Sequence, residues 1–355
     1  MSGKTIYPGF IDSWVENSTP SEKTPPHDAH WNRKVNARRE LFSQYHPDKK
    51  KLESFHKMGF TAAHIVPDSG IFQGQTALVQ LNSDGTELKS AVAQDIAYEV
   101  DGWGSDEYPN SLLGVVALLR QTFMDAAWFR EAREKTIQFP QFNEPLKNNR
   151  DLDILSQWRQ DSKPFIFETN HELTVLRSFT LANEFGLNGW IKGSGYEYRR
   201  VSEIAKVSPF IILPLDFPVT PDLSDPYQAL SYSTSELKHW DMAPENPAVL
   251  IDHGISVAFT THGLKGKEFR KNLSRSVERG LSERDALASI TTIPAEKMGT
   301  SDQLGKIKKG FLANLTIVDG NYFQYKSKVV STWVGGEEYP VIPKYDTSVD
   351  GEWRL

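Results

Sequence analysis

Between residues 164 and 261 the chain alternates, at short and regular intervals, between apolar strand-like runs and helical ones. A strand over 164–169 leads to a helix over Glu172–Phe185, which Gly186 closes. A strand over 189–192 leads through Gly193-Ser194-Gly195 to a helix over 196–206, and further strands follow at 210–215 and 256–261. Parallel neighbours need a crossover of about a dozen residues, so repeated strand–helix units of this length build a parallel sheet with helices on its faces. The unbroken apolar run Phe210-Ile211-Ile212-Leu213 suits a strand covered on both sides. The pattern by itself serves an open doubly wound sheet as well as a closed barrel.

Upstream the signals are less regular. Residues 17–38 are rich in Pro, Ser and Asn and read as a long loop. Spaced apolar residues (Leu41, Phe42, Tyr45, Leu52, Phe55) amid charge predict a helix over 37–57. Gly59 then ends it ahead of a short buried strand, and another strand over 76–81 precedes the turn Asn82-Ser83-Asp84-Gly85. Residues 112–136 place Leu113, Val116, Leu119 and Phe123 at helical spacings.

With 39% hydrophobic and 24% charged residues, the 355-residue chain has the means to bury a large core. A net charge of -6 with interspersed signs offers no basic footprint, so neither nucleic acid nor an anionic membrane is expected as a partner. Cysteine is absent, which removes disulfides, thiolate metal sites and cysteine nucleophiles. No run of the ~18 apolar residues needed for a membrane span is expected. The first strand is expected to follow Met1-Ser2-Gly3-Lys4 at once, so no targeting signal is expected in this segment.

Three stretches carry a family resemblance. The first is Tyr7-Pro8-Gly9-Phe10-Ile11-Asp12-Ser13-Trp14-Val15-Glu16. The second is Gly280-Leu281-Ser282-Glu283-Arg284-Asp285-Ala286-Leu287, with Thr291-Thr292-Ile293-Pro294-Ala295 after it; Ser282 and Asp285 have the spacing of a capping box. The third runs from Leu304-Gly305-Lys306 through Gly310-Phe311-Leu312-Ala313-Asn314 to Asp319-Gly320. Together they resemble the amidohydrolase superfamily, and Gly59-Phe60-Thr61 and Gly74-Gln75 are similar to its imidazolonepropionase-like branch. The resemblance implies an α/β fold: a (β/α)8 TIM-like barrel of the metal-dependent hydrolase type over 1–303, a partial small β-domain over 304–343, and a tail or linker over 344–355. Because the family places strands before the Pro-Gly-Phe-Ile-Asp run, the chain is expected to be a fragment of a longer polypeptide.

In that family a divalent metal sits at the C-terminal ends of the strands, held by His-x-His on the first, one His on each of the fifth and sixth, and Asp on the eighth. Carried over position by position, these sites fall on Trp14 and Glu16, on Glu168, on Lys192 and on His262. An indole and an ammonium have donors and no lone pair, so Trp14 and Lys192 cannot ligate. Lys192 is expected to replace the metal's charge and to close an ionic cluster with Glu16 and Glu168. The expected cofactor is therefore none, where zinc or another divalent ion would be the family's. A metal held instead by Glu16, Glu168 and His262 is a chemistry those side chains permit, against which Lys192 weighs. His171 lies three residues past Glu168, beyond the strand end.

The function that follows is a hydrolase of non-peptide carbon–nitrogen bonds by descent, here noncatalytic. It would support a second, active amidohydrolase module on the same or another chain. The alternative is an active hydrolase of an amide or cyclic amide with Glu16 or Glu168 as base and His262 beside it. Trp14, His64 and Ser194 are candidate substrate contacts, and each has a plainer reading. His64 serves equally as a satisfied core histidine, Ser194 as part of a tight turn, and Trp14, Trp103, Trp190 and Trp240 as core or plug. His27 and His30, three apart in a proline-rich loop, read as solvated.

Overall fold

The computed structural model describes residues 3–18, 26–100, 108–141, 146–207, 209–222, 224, 227 and 230–343. Trp103 and the tail 344–355 lie outside them. The chain forms an α/β fold. Its first strands are β1 (Lys4–Pro8), β2 (Phe10–Glu16), β3 (Phe60–Val66), β4 (Phe72–Gln75), β5 (Ala77–Gln80), β6 (Glu87–Lys89) and β7 (Gln94–Ile96). They are followed by β8 (Pro164–Glu168), β9 (Asn188–Lys192), β10 (Phe210–Pro214), β11 (Ser256–Thr260), β12 (Leu315–Asp319), β13 (Lys328–Val334) and β14 (Glu337–Pro340).

The alternation read from the sequence builds the largest sheet, ordered β11-β10-β9-β8-β7-β4, in which β7 to β11 are parallel. Helix Glu172–Phe185 ends at Gly186, whose φ of +63° lets it turn the chain into β9. A second sheet runs β2-β3-β5-β6, with β2 and β3 parallel. The strands are not parallel throughout: β5 runs antiparallel to β3, and β4 antiparallel to β7. The two sheets meet where β2 faces β11, because the Thr260 hydroxyl donates to the Trp14 carbonyl at 2.8 Å. Apolar residues from both sheets pack together, among them Ile11, Trp14, Ala62, Ile166, Trp190, Ile212 and Ala258.

Other expectations need correction. The helix over 37–57 is a 3-10 turn, Leu41–Gln44, and a separate helix, Lys49–Met58. Pro47 interrupts the run, and the Asp48 carboxylate starts the second helix by accepting the Lys51 amide at 2.8 Å. The N-terminal residues Lys4–Pro8 do not lead straight into the large layer; β1 pairs with β12 in a small antiparallel sheet, β1-β12-β13-β14. Helix Leu112–Gln138 is long and apolar enough, by length and composition, to cross a membrane, contrary to the expectation that no such run exists. Its Val115, Leu118, Leu119 and Phe123 are buried in the core, while Leu113, Met124 and Trp128 are exposed.

Candidate functional site

Side chains alternate along a strand, so the residue two beyond an inward one also faces inward. Ile166 and Trp190 belong to the shared apolar cluster. Glu168 and Lys192 follow them two residues on and are register partners at the ends of β8 and β9. Asp95 stands in the same relation to Ala93, another member of that cluster. A cavity of about 330 Å³ opens beside these strand ends, lined by Glu16, Gln73, Glu99, Glu168 and Lys192 among others. A second, also about 330 Å³, lies across Glu16 and is lined by Trp14, Phe55, Thr261 and His262.

The structure therefore brings together Trp14, Glu16, Glu168, Lys192 and His262. Their charges do not close into an ion cluster. Among the described residues no ion pair joins Lys192 to Glu16 or Glu168; the ammonium stands 6.0 Å from the centroid of the Trp14 ring. Glu16 instead lies 3.4 Å from His262 Nδ1 and accepts the Trp14 indole N–H at 3.4 Å. Glu168 accepts from Gln73 Nε2 at 2.8 Å. Burial pushes the Glu168 carboxyl up to about 7, with Glu16 and Glu99 adding to the rise and Lys192 opposing it. Burial lowers His262, and Lys192 lowers it further against the pull of Glu16.

Asp95 is the site residue that reading the sequence missed. It is fully buried and neither carboxyl oxygen has a partner among the described residues. Burial, and then the Glu168 charge, raise it well above the ordinary carboxylate range. The signal was present: one acid inside the small, apolar run Ala91-Val92-Ala93-Gln94-Asp95-Ile96-Ala97.

The remaining candidates have other partners. His64 is fully buried between the Ser13 carbonyl at 3.0 Å and the Thr76 hydroxyl at 2.7 Å, and burial lowers it to about 4. It is a satisfied, neutral core histidine. The Ser194 and Gly195 amides already hold an anion, the Glu197 carboxylate, at 2.6 and 3.0 Å. Glu197 is fully buried and Asn246 also donates to it at 2.8 Å. This inward turn explains why the helix over 196–206 is instead a 3-10 turn, Glu197–Arg200, with a short helix, Val201–Ala205. His171 caps the helix Glu172–Phe185, its Nδ1 accepting the Leu173 amide at 3.2 Å. His30 is buried and accepts the Asn32 amide, so it is not solvated as expected. Trp190 packs in the core, and Trp240 lines a separate cavity of about 590 Å³ with Tyr196 and His239. Among the described residues no three His, Cys, Asp or Glu side chains group as a metal ion would require.

Residues 255–339 match the sequence pattern described as the amidohydrolase family. The amidohydrolase tasK of Hapsidospora irregularis is 30% identical over 95 residues, which is 26% of this chain and 10% of that protein. The chain thus matches only a tenth of the length of this curated relative. An amidohydrolase from Thermotoga maritima MSB8 superimposes with a TM-score of 0.74 at 21% identity, over 95% of this chain and 87% of that one. A prolidase complexed with N-methylphosphonate-L-proline gives 0.51 at 17% identity, with the same coverage of each chain. The chain thus has the fold of the amidohydrolases, and its residues 255–339 carry that family's sequence pattern.

Proposed function

We propose that this chain is a (β/α)8 barrel of the amidohydrolase type, a hydrolase of non-peptide carbon–nitrogen bonds by descent. In this reading it works without the divalent metal, as a noncatalytic domain supporting an active amidohydrolase module. The parallel run β7 to β11 and the contact between β11 and β2 support a ring of strands. Gly59 and Gly74, on which the likeness to the imidazolonepropionase-like branch rests, have φ of +93° and +127°. Their backbone geometry alone calls for glycine, so the branch is the weaker half of the resemblance.

One observation carries the metal-free reading: Lys192 is the register partner of Glu168, the very neighbour that would have to ligate beside it. A fixed ammonium at that place repels a divalent ion, and a catalytic site needs about three protein donors plus water. The donors present do not fit that need: Glu16 borders both cavities, but His262 lines one and Glu168 the other, and among the described residues no three such side chains group as a metal ion requires. Elemental analysis of protein purified without chelator, with a screen of amide, lactam and dipeptide substrates, tests this reading. Substoichiometric metal and no turnover are expected; a tightly held divalent ion, or hydrolysis, would overturn it.

A second reading, an active hydrolase, is favoured by Glu168 alone. A carboxyl titrating at about 7 in a cavity is suited to acid–base work. General acid–base help is worth roughly 10²–10⁴ in rate, which suffices only for a labile amide or cyclic amide. Turnover abolished by Glu168→Gln would establish it.

A further inference from the structure

The cavity of about 590 Å³ beside Trp240 opens past the C-terminal ends of three parallel strands. His171, Tyr196 and Pro218, which line it, follow β8, β9 and β10 respectively. Ligands of parallel α/β folds bind at that end of the strands, where the connecting loops carry the contacting side chains. The turn after β8 joins this cavity to the site described above, since Asn170 lines that one and His171 this one.

Arg199 sets its chemistry. The guanidinium stands 4.6 Å from the centroid of the Tyr196 ring and 5.9 Å from that of Tyr198, stacking that holds it in place. Its side chain is 27% exposed, so a ligand can reach it. Nε donates to the Tyr198 hydroxyl at 3.4 Å and Nη2 to Ser235 Oγ at 3.2 Å. Nη1 has no hydrogen-bond acceptor among the described residues; the Glu172 carboxylate lies 3.8 Å away, beyond that reach. Two hydroxyls of the lining accept hydrogen bonds and keep their own protons to give: Ser235 accepts from Arg199, and Tyr232 from the Asp222 amide at 3.3 Å. Glu236, a carboxylate of the lining, is committed elsewhere. Its Oε2 accepts the Ser233 amide and hydroxyl, both at 2.7 Å, in a capping box. Two of the aromatic rings already carry a cation, Arg199 on Tyr196 and Arg275 at 5.6 Å from the Trp240 centroid.

We propose that this cavity binds a small apolar monocarboxylate, held by Arg199 with the Tyr232 and Ser235 hydroxyls and packed against Tyr196, His239 and Pro218. Donors that lack acceptors call for an acceptor-rich ligand, and a carboxylate matches the planar edge of a guanidinium. The aromatic and proline walls gain only if a hydrocarbon body covers them, which a bare inorganic anion cannot do. A cavity of about 590 Å³ is of a size that encloses such a molecule. The site is separate from the mouth at Glu168 and Lys192 and stands whether or not a metal is held there.

The probes are phenylacetate, its neutral analogue 2-phenylethanol, and acetate, titrated calorimetrically into the whole chain and followed by amide chemical shifts. Phenylacetate is expected to saturate, with the alcohol and acetate each weaker by about tenfold or more, since one lacks the charge and the other the apolar body. Arg199→Gln weakens phenylacetate by about tenfold, the loss of a charge-assisted pair. Tyr232→Phe removes one neutral hydrogen bond, weakens it by about fivefold, and guards against an Arg199 variant that misfolds. The shifts are expected around residues 196–199 and 232–240. Equal affinity for acid and alcohol, an affinity unmoved by both substitutions, or shifts confined to Glu16 and Glu168 would overturn the proposal.

Discussion

The Asp12 carboxylate accepts the Thr261 hydroxyl at 2.6 Å, joining the second strand to the residue just past β11 across 249 positions of sequence. Asp12 also accepts the Thr261 amide at 3.2 Å and the Trp14 amide at 3.1 Å. It therefore holds the irregular turn of backbone that aims Trp14 and Glu16, and it fixes the neighbour of His262. Asp12→Ala leaves these buried donors unpaired and is expected to cost about 3 kcal/mol in urea unfolding. It should also displace the Glu16 and His262 signals together in NMR spectra. A variant as stable as the parent, with both signals unmoved, would show that the strands are joined by other means.

Stability should vary with pH in a way that Glu168→Gln simplifies. Burial raises Asp12 to about 6 and Glu168 to about 7. A carboxyl raised in the folded state favours folding fully below its unfolded value and loses that contribution as pH rises through the folded one. Stability is thus expected to fall between about pH 4.5 and 7 on account of Glu168. His64, lowered to about 4, acts in the other sense: its contribution is present above pH 6.5 and lost as pH falls. Comparing melting curves of the parent and Glu168→Gln isolates the first effect. The difference between them should grow from pH 4.5 to 7; a constant difference would place Glu168 in ordinary solvent.

Lys192 acts on its neighbours through space rather than through direct pairs. It holds Glu168 below and His262 below where burial and the remaining charges would set them. Lys192→Met is therefore expected to melt close to the parent while both groups titrate at higher pH. Carboxyl and imidazole NMR titrations read the two shifts separately. A closed ion cluster would behave differently, since breaking a buried pair costs about 3–5 kcal/mol.

How much of the site was legible follows from the range of the forces involved. Glu16, Glu168, Lys192 and His262 were placed through the family resemblance, which points to strand ends, and the structure brings those ends around two adjoining cavities. Asp95 was hidden because its strand, β7, has only three residues, too few for a periodic signal. Ser194 looked available because glycine-flanked amides at a helix start favour anions. Nothing in the local wording says that Glu197, three residues on, folds back to fill them.

By itself the sequence determined the strand–helix–strand order from 164 to 192, the later strands near 210 and 256, the stop at Gly186, and that Trp14 and Lys192 have no lone pair to offer a metal, while the helices Thr234–Met242 and Asn246–Asp252 went unread. These depend on backbone hydrogen bonds, on glycine's access to positive φ and on the chemistry of single groups, all of which act within a few residues. Tertiary structure alone decided the antiparallel course of β4 and β5, the pairing of β1 with the C-terminal strands, and the oxygens of Gln73 and Asp95 left without partners among the described residues. Those depend on which groups distant in the chain share the same buried space, and burial is what sets both their hydrogen bonds and their charge.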